Sequence, residues 1–156
     1  MEGKIDDLDK KILSIITRNA RIPFKDVAAQ CDVSRAAIHQ RVQRLIDMGV
    51  ITGSGYTVDA KQLNYKTCTY IGVFLEKGWM YEEVVEEFSQ IPEIVECHYT
   101  TGQYSIFAKV YAKDNEDLKR VLNEKVQAIR GISSTETFIS LEQRFEREIP
   151  IVYWVW

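Results

Sequence analysis

An α+β fold in two parts is predicted: an N-terminal helix-turn-helix (winged-helix-like) domain joined by a short β hinge to a ferredoxin-like βαββαβ domain. Three observations predict it. Apolar residues recur at helical spacing up to Gly49, interrupted only by short turns. From Thr67 on, β-branched and aromatic runs alternate with amphipathic stretches in the order strand, helix, strand, strand, helix, strand. Basic character is confined to the front, where residues 1 to 60 hold nine Lys/Arg against eight Asp/Glu and the remainder holds eleven against fifteen.

In chain order, Asp6 or Asp7 can cap a first helix in which Leu8, Ile12, Ile15 and Ile16 share one face up to about Thr17, with Ile5 extending the stripe. The run Asn19 to Pro23 breaks the pattern. Pro23 suits the mouth of a second helix, Phe24 to Cys31, which buries Phe24, Val27, Ala28 and Cys31. Asp32 and Val33 leave room only for a tight turn.

The next helix has two chemistries. Ile38, Val42, Leu45 and Ile46 fall on one side and must bury. Ser34 stands at the N-cap, and Val33 with Ile38 holds the flanking positions of a hydrophobic staple. Ala36, His39, Gln40, Gln43 and Arg44 project from the other side, with Arg35 in the first turn and Arg41 on the flank, and no carboxylate lies between Val33 and Ile46. Such a face suits the major groove of double-stranded DNA, where Gln pairs bidentately with adenine and Arg with guanine. The candidate DNA-binding set is therefore Arg35, Ala36, His39 and Gln40 toward bases, Lys25, Arg41, Gln43 and Arg44 toward phosphates or flanking bases, and Ser34 at the helix mouth. A solvated polar face is the plainer reading of an isolated amphipathic helix; the preceding helix and turn favour the groove.

Gly49 fits a left-handed C-cap, and Val50–Ile51 with Tyr56–Val58 can form two short strands around residues 52–55, a small wing or hinge. Gly53 and Gly55 lack the further glycine and Lys-Ser/Thr of a phosphate loop. Beyond the hinge come a strand over 67–75, a helix over 81–91 burying Val84, Val85, Phe88 and Ile91 beneath four outward Glu, strands over 94–101 and 105–111 joined at Gly102–Gln103–Tyr104, a helix marked by Leu118, Val121, Leu122, Val126 and Ile129 and ending at Gly131, and a strand over 132–141. Helices then cover one sheet face only, and Tyr70, Phe74 and Phe107 point to self-association as the cover for the other. The expected divisions are 1–52, 53–66, 67–141 and a tail, 142–156, whose six apolar-rich terminal residues should pair with a strand or pack on a partner subunit.

Composition excludes several classes. A 46% hydrophobic content supports a core, and a net charge of −3 argues against indiscriminate coating of nucleic acid. The acidic start has no apolar signal region and no run approaches the ~20 apolar residues of a membrane span, so a cytoplasmic protein without membrane partners is expected. Cys31, Cys68 and Cys97 are odd in number and far apart, with only His39 and His98 nearby in type, so reduced core thiols are expected rather than a disulfide or metal site. No catalytic constellation, metal cluster or cofactor motif is expected.

The ordered set Leu8-Asp-Lys-Lys-Ile-Leu13, Asn19-Ala-Arg21, Val33 through Ile51, Thr52-Gly53, Val58-Asp59, Pro92 through Cys97, Thr101-Gly102, Gly131-Ile132 and Thr137 through Leu141 resembles the Lrp/AsnC (feast/famine) family of transcriptional regulators over nearly the whole chain. The resemblance implies dimers built through the ferredoxin-like domains, assembled further into tetramers, octamers or hexadecamers, with DNA wrapped or bridged. It also implies a small effector, usually an amino acid, bound between dimers near the loop joining the second and third strands of this domain, here Gly102, Gln103, Tyr104 and Ser105. Two positions depart from the family pattern. Asp32 replaces the usual turn Gly, which Asp tolerates. Ser105 replaces the usual Asp, losing a charge-assisted bond to an ammonium group of ~1–3 kcal/mol. That departure leaves three readings of the loop: an amino acid, another effector or none, or a plain turn in which Gly102 bends the chain and Tyr104 is a core or interface aromatic. Two rivals share the two-domain plan: an enzyme resembling the siroheme decarboxylases, which calls for basic and His residues in the second half where only His98 stands, and an architectural protein with little sequence preference.

Overall fold

The computed structural model describes residues 3–152. The chain divides into two compact units, one holding the described residues up to Thr57 with those from Phe145 on, the other Val58–Arg144.

The first unit is built on helices α1 (Asp7–Ile16), α2 (Phe24–Cys31) and α3 (Arg35–Asp47). Asp6 opens α1 with a capping box: its side chain accepts from the Asp9 amide at 2.8 Å, and the Asp9 side chain accepts from the Asp6 amide at 3.0 Å. Ile12, Val27, Ala28, Cys31 and Ile38 form the buried core, flanked by Leu8, Ile15, Phe24, Val33 and Val42. The turn between α2 and α3 places Asp32 in the left-handed region, φ 55° and ψ 45°, so Asp does here what Gly does without a Cβ. Ser34 caps α3, accepting from the Ala37 amide at 3.1 Å. Leu45 is buried as expected, but Ile46 is 45% exposed, because the arc of α3 that the core covers is centred on Ile38 and Leu45 and ends before Ile46.

Gly49, φ 73°, terminates α3. The two short strands expected after it do not form: residues 50–58 carry no strand, and Tyr56 and Val58 are exposed. A pair of two- or three-residue strands has too few ladder hydrogen bonds and no apolar face to pack. Tyr56 instead lies under the Arg21 guanidinium, 5.2 Å from its ring centre.

The second unit is a four-stranded antiparallel sheet in the order β2-β3-β1-β4, with β1 Thr67–Leu75, β2 Ile94–Tyr99, β3 Ile106–Ala112 and β4 Ile132–Ile139. Helix α4 (Tyr81–Ser89) and helix α5, α-helical over Asn115–Arg120 and π-helical over Val121–Val126, pack on one face. This is the expected βαββαβ arrangement, with strand ends moved by one or two residues. Ile71, Val73, Ile106, Ala108 and Val110 meet Val84, Phe88, Leu118, Val121 and Val126 in the core. The π-turn brings the pair Val121 and Val126, five apart, onto the core side together, and the Gln127 amide donates to the Leu122 carbonyl at 2.8 Å. Cys31 is buried, but Cys97 is exposed because β2 is an edge strand, so the expectation of three core thiols holds only in part.

On the helix side Glu93 accepts from Lys125 Nζ at 2.7 and 3.0 Å and from Arg120 at 3.2 Å. Burial alone would raise its carboxyl, but these hydrogen bonds hold it below the ordinary value. A carboxyl depressed on folding adds stability that is present above its unfolded value of ~4.3 and lost as pH falls through the folded value. Urea denaturation between about pH 6 and about pH 3 should therefore show an acid loss that Glu93→Gln flattens. An unchanged slope in the variant would remove Glu93 as the cause.

The described part of the tail, 142–152, forms no strand. Its charged run from Glu142 to Glu148 keeps it solvated, and Arg147 covers the Phe145 ring at 4.3 Å. The aromatic tip, residues 153–156, lies outside the described residues.

Candidate nucleic-acid interface and effector loop

The outward face of α3 follows from its capping and its burial. With Ile38 and Leu45 turned inward at zero exposure, Arg35, Ala36, His39, Gln40 and Gln43 are left exposed along one side, and Lys25 is exposed in the first turn of α2. A shallow open depression lined by His39, Gln40, Gln43, Arg44 and Asp47 runs along this side. Ser34 spends its hydroxyl on the cap. His39 is exposed, yet its ring rests edge-on against Phe24 of α2, centres 4.5 Å apart, which braces the two helices of the motif. Gln43 donates from its amide to Asp47 at 2.9 Å.

Arg41 and Arg44, expected toward phosphates or flanking bases, are held by carboxylates of α1 and its cap. Asp9 of α1 is fully buried, and its carboxylate accepts from Arg41 at 3.1 Å and from Arg44. Arg41 also donates to Asp6. Burial alone would raise the Asp6 carboxyl, and the hydrogen bond from Arg41 holds it below its usual value; the hydrogen bond to Asp6 raises Arg41 in turn. Gly3 lies so close to Arg44 that a Cβ there would come within 2.7 Å of its guanidinium. Arg41 is thus turned along the α1 side of α3, while Arg44, bonded to the same Asp9 carboxylate, still borders the depression lined by His39, Gln40 and Gln43. Asp6 and Asp9 were read only as cap candidate and helix position. The legible signal was a carboxylate at Asp9, inside the apolar arc of Ile5, Leu8, Ile12 and Ile16, which needs a counter-charge that two arginines three apart can supply.

In the second unit, the loop joining β2 and β3 turns at Gly102, φ 105°, which favours glycine. Thr100 donates its hydroxyl to the Tyr104 carbonyl at 2.8 Å, and the Ser105 amide donates to Val73 at 3.0 Å. Gly102 and Gln103 are exposed, while Tyr104 and Ser105 are half-buried. Tyr104 lies flat on the uncovered sheet face, directly over Gly72, where any Cβ would meet its ring at 2.5 Å, and its hydroxyl donates to Glu136. That bond to a carboxylate pushes the Tyr104 phenol up. Around it stand Phe74 at 5.2 Å and Phe107 and Phe138 at 6.1 Å, and Tyr70 stacks on Phe107 at 5.7 Å. Tyr104 thus belongs to the loop and to the aromatic face of the sheet at once. Gly72 was not singled out from sequence; a glycine inside a β-branched and aromatic run is the signal that another group approaches closely.

Among the described residues, no group of three or more His, Cys, Asp or Glu side chains could hold a metal ion, and no helix is long and apolar enough to cross a membrane.

Residues 5–52 match the family described as winged helix-turn-helix DNA-binding, and residues 68–150 match that described as the Lrp/AsnC ligand binding domain. The chain is 41% identical over 145 residues to the regulatory protein AsnC of Haemophilus influenzae, covering 93% of this chain and 97% of that protein. The solved structure of Escherichia coli AsnC superposes with a TM-score of 0.90 at 39% identity, covering 94% of this chain and 99% of that one. A transcriptional regulator of Neisseria meningitidis, solved as a complex with L-Met, shares the fold with a TM-score of 0.86 at 17% identity, covering 92% and 94%.

Proposed function

Because the chain belongs to the Lrp/AsnC family of DNA-binding transcriptional regulators, we propose that α3 enters the major groove and that Arg35, Ala36 and Gln40 read base edges while Lys25 meets phosphate. His39 takes a flanking position because Phe24 holds its ring. The observation that carries this reading is the stripe of donors on α3, exposed on a helix whose opposite face is fixed in a three-helix core.

The uncovered aromatic face of the sheet supports a dimer formed through the second unit, assembled further into an octamer or another even-numbered particle, with the tail's exposed Phe145, Ile149 and Val152 packing on a neighbouring subunit. An amino acid is the proposed effector class, held near Gly102, Gln103, Tyr104 and Ser105; the L-Met of the Neisseria regulator supports the class, and exposed Gly102 and Gln103 are the groups available to a carboxylate. The regulators among the relatives support a non-enzymatic role over a decarboxylase.

The test is a salt-dependent titration of fluorescent DNA from the gene's own upstream region against scrambled DNA, repeated with a mixture of amino acids. Selective binding that the mixture alters is expected. Binding without discrimination at any salt would sink the sequence-specific reading, and selective binding that ignores the mixture would sink the amino-acid effector. Within the same assay, Gln40→Ala should cost about 1–3 kcal/mol on the cognate site and little on scrambled DNA. Lys25→Ala should weaken both and lower the log–log salt slope by about 0.9. Equal losses for Gln40→Ala on both DNAs would remove it as a base reader.

A further inference from the structure

We propose that Asp9, with Asp6, is a specificity-determining residue of the DNA-binding unit: it withholds Arg41 and Arg44 from the phosphate backbone and fixes the orientation of α3. This rests on the DNA-binding reading above.

The argument starts from charge. Sequence-independent affinity for DNA grows with each phosphate neutralised, whereas discrimination comes from base edges, so a cation added to the contact surface raises affinity for every sequence, and discrimination rests on what holds the base-reading side chains in place. Helix α3 carries three arginines, Arg35, Arg41 and Arg44. Two of them are neutralised within the protein by carboxylates of α1 before any DNA arrives. Asp9 has no exposed surface, so its charge is balanced by these two guanidinium groups and by the Asp6 amide, and it does not exchange to solvent. Arg41 bridges both carboxylates, and Arg44 is covered by Gly3. The Arg41 and Arg44 side chains still keep about a third of their surface exposed, 32% and 36%, so they sit near enough to solvent to turn toward a polyanion once the carboxylates are neutralised. Asp6 and Asp9 occupy, on the arginines, the place that phosphates would otherwise take.

Geometry gives the same carboxylate its second role. The bonds from Arg41 and Arg44, one helical turn apart, to a single carboxylate on α1 fix the rotation of α3 about its own axis, and thereby which side chains face outward.

The test is Asp9→Asn in the full chain, which keeps the shape and one accepting oxygen, turns the other into a donor and removes the charge. Asp6→Asn is the companion variant, since Asn caps α1 as well as Asp does. Binding of upstream-region and scrambled DNA is measured across salt, with thermal melting to establish folding. Asp9→Asn is expected to bind scrambled DNA more tightly at low salt, with a log–log slope steeper by up to about 1.8, or about 0.9 for each arginine released. Its ratio of specific to scrambled affinity falls. Asp6→Asn shows the same change at up to half that size.

A folded Asp9→Asn whose slope and ratio equal those of the wild type overturns the proposal. So does a parallel loss on both DNAs with unchanged slope, which a merely structural role would produce. If Asp9→Asn does not fold, Asp6→Asn decides by the same criteria. A wild-type chain that binds neither DNA fails the DNA-binding reading itself, and the proposal with it; selective wild-type binding with unresponsive variants fails the proposal alone.

Discussion

Replacing Arg41 and Arg44 together with leucine is expected to unfold the first unit while leaving the four-stranded sheet intact. Asp9 then keeps a carboxylate in a site with no solvent access and no counter-charge. Stripping one side of a fully buried ion pair costs about 3–5 kcal/mol, and because both arginine side chains keep roughly a third of their surface exposed the cost here is about 2–4 kcal/mol. A three-helix unit of this size has little stability in reserve, so a loss on that scale removes most of it. Hydrogen exchange should show amide protection lost through α1, α2 and α3 and retained in β1 to β4. Adding Asp9→Leu to the pair removes the stranded charge and should restore protection. A triple variant no more stable than the double would show that the carboxylate is not the source of the cost.

Gly72→Ala is expected to expel Tyr104 from the sheet. The new methyl would sit 2.5 to 2.7 Å from the ring, and the backbone of a central strand cannot give way, so the aromatic ring moves. Tyr104 then loses its bond to Glu136 and its contacts with Phe74, Phe107 and Phe138. Overpacking of this kind costs about 1–3 kcal/mol. Because Tyr104 belongs to the loop 100–105 as well as to the aromatic face, the substitution should disturb amino-acid response and subunit association together. A double-mutant cycle with Tyr104→Ala checks the cause: the Gly72→Ala penalty should vanish in the Tyr104→Ala background. A penalty that persists there would place the clash elsewhere.

Much of this was readable from residue order. Ser34 before a run with apolar residues at 38, 42 and 45 marks both the start and the buried face of α3, because capping and amphipathic period are local properties. The strand over 67–75 and the βαββαβ order follow from equally local signals. What was not readable depends on partners distant in sequence. Arg41 and Arg44 look like free cations until α1 places Asp9 against them, and Gly72 looks like a weak strand residue until Tyr104 lies across it. Ile46 continues a helical stripe by spacing, yet whether the stripe is covered that far depends on the packing of the other helices. The two short strands did not form for another reason: Val50–Ile51 and Tyr56–Val58 have strand-forming side chains but nothing to pack upon.

The rims of the sheet differ from its face. Along β2 the pairing register shifts between Ile94 and Glu96, directly after Pro92 and Glu93, and Glu96 and His98 pair with each other at 2.6 Å. The pairing of β4 with β1 likewise shifts register between Phe74 and Leu75. Both rims are thus irregular, and the first is also charged, which spoils the straight ladder on which one sheet would extend into the next and onward into a fibril. Tyr70, Phe74, Tyr104, Phe107 and Phe138 present their rings on the flat of the sheet instead. Where two copies of such a face meet, self-complementary, two-fold contacts use up the sticky surface when they close, which favours particles of finite size over endless filaments.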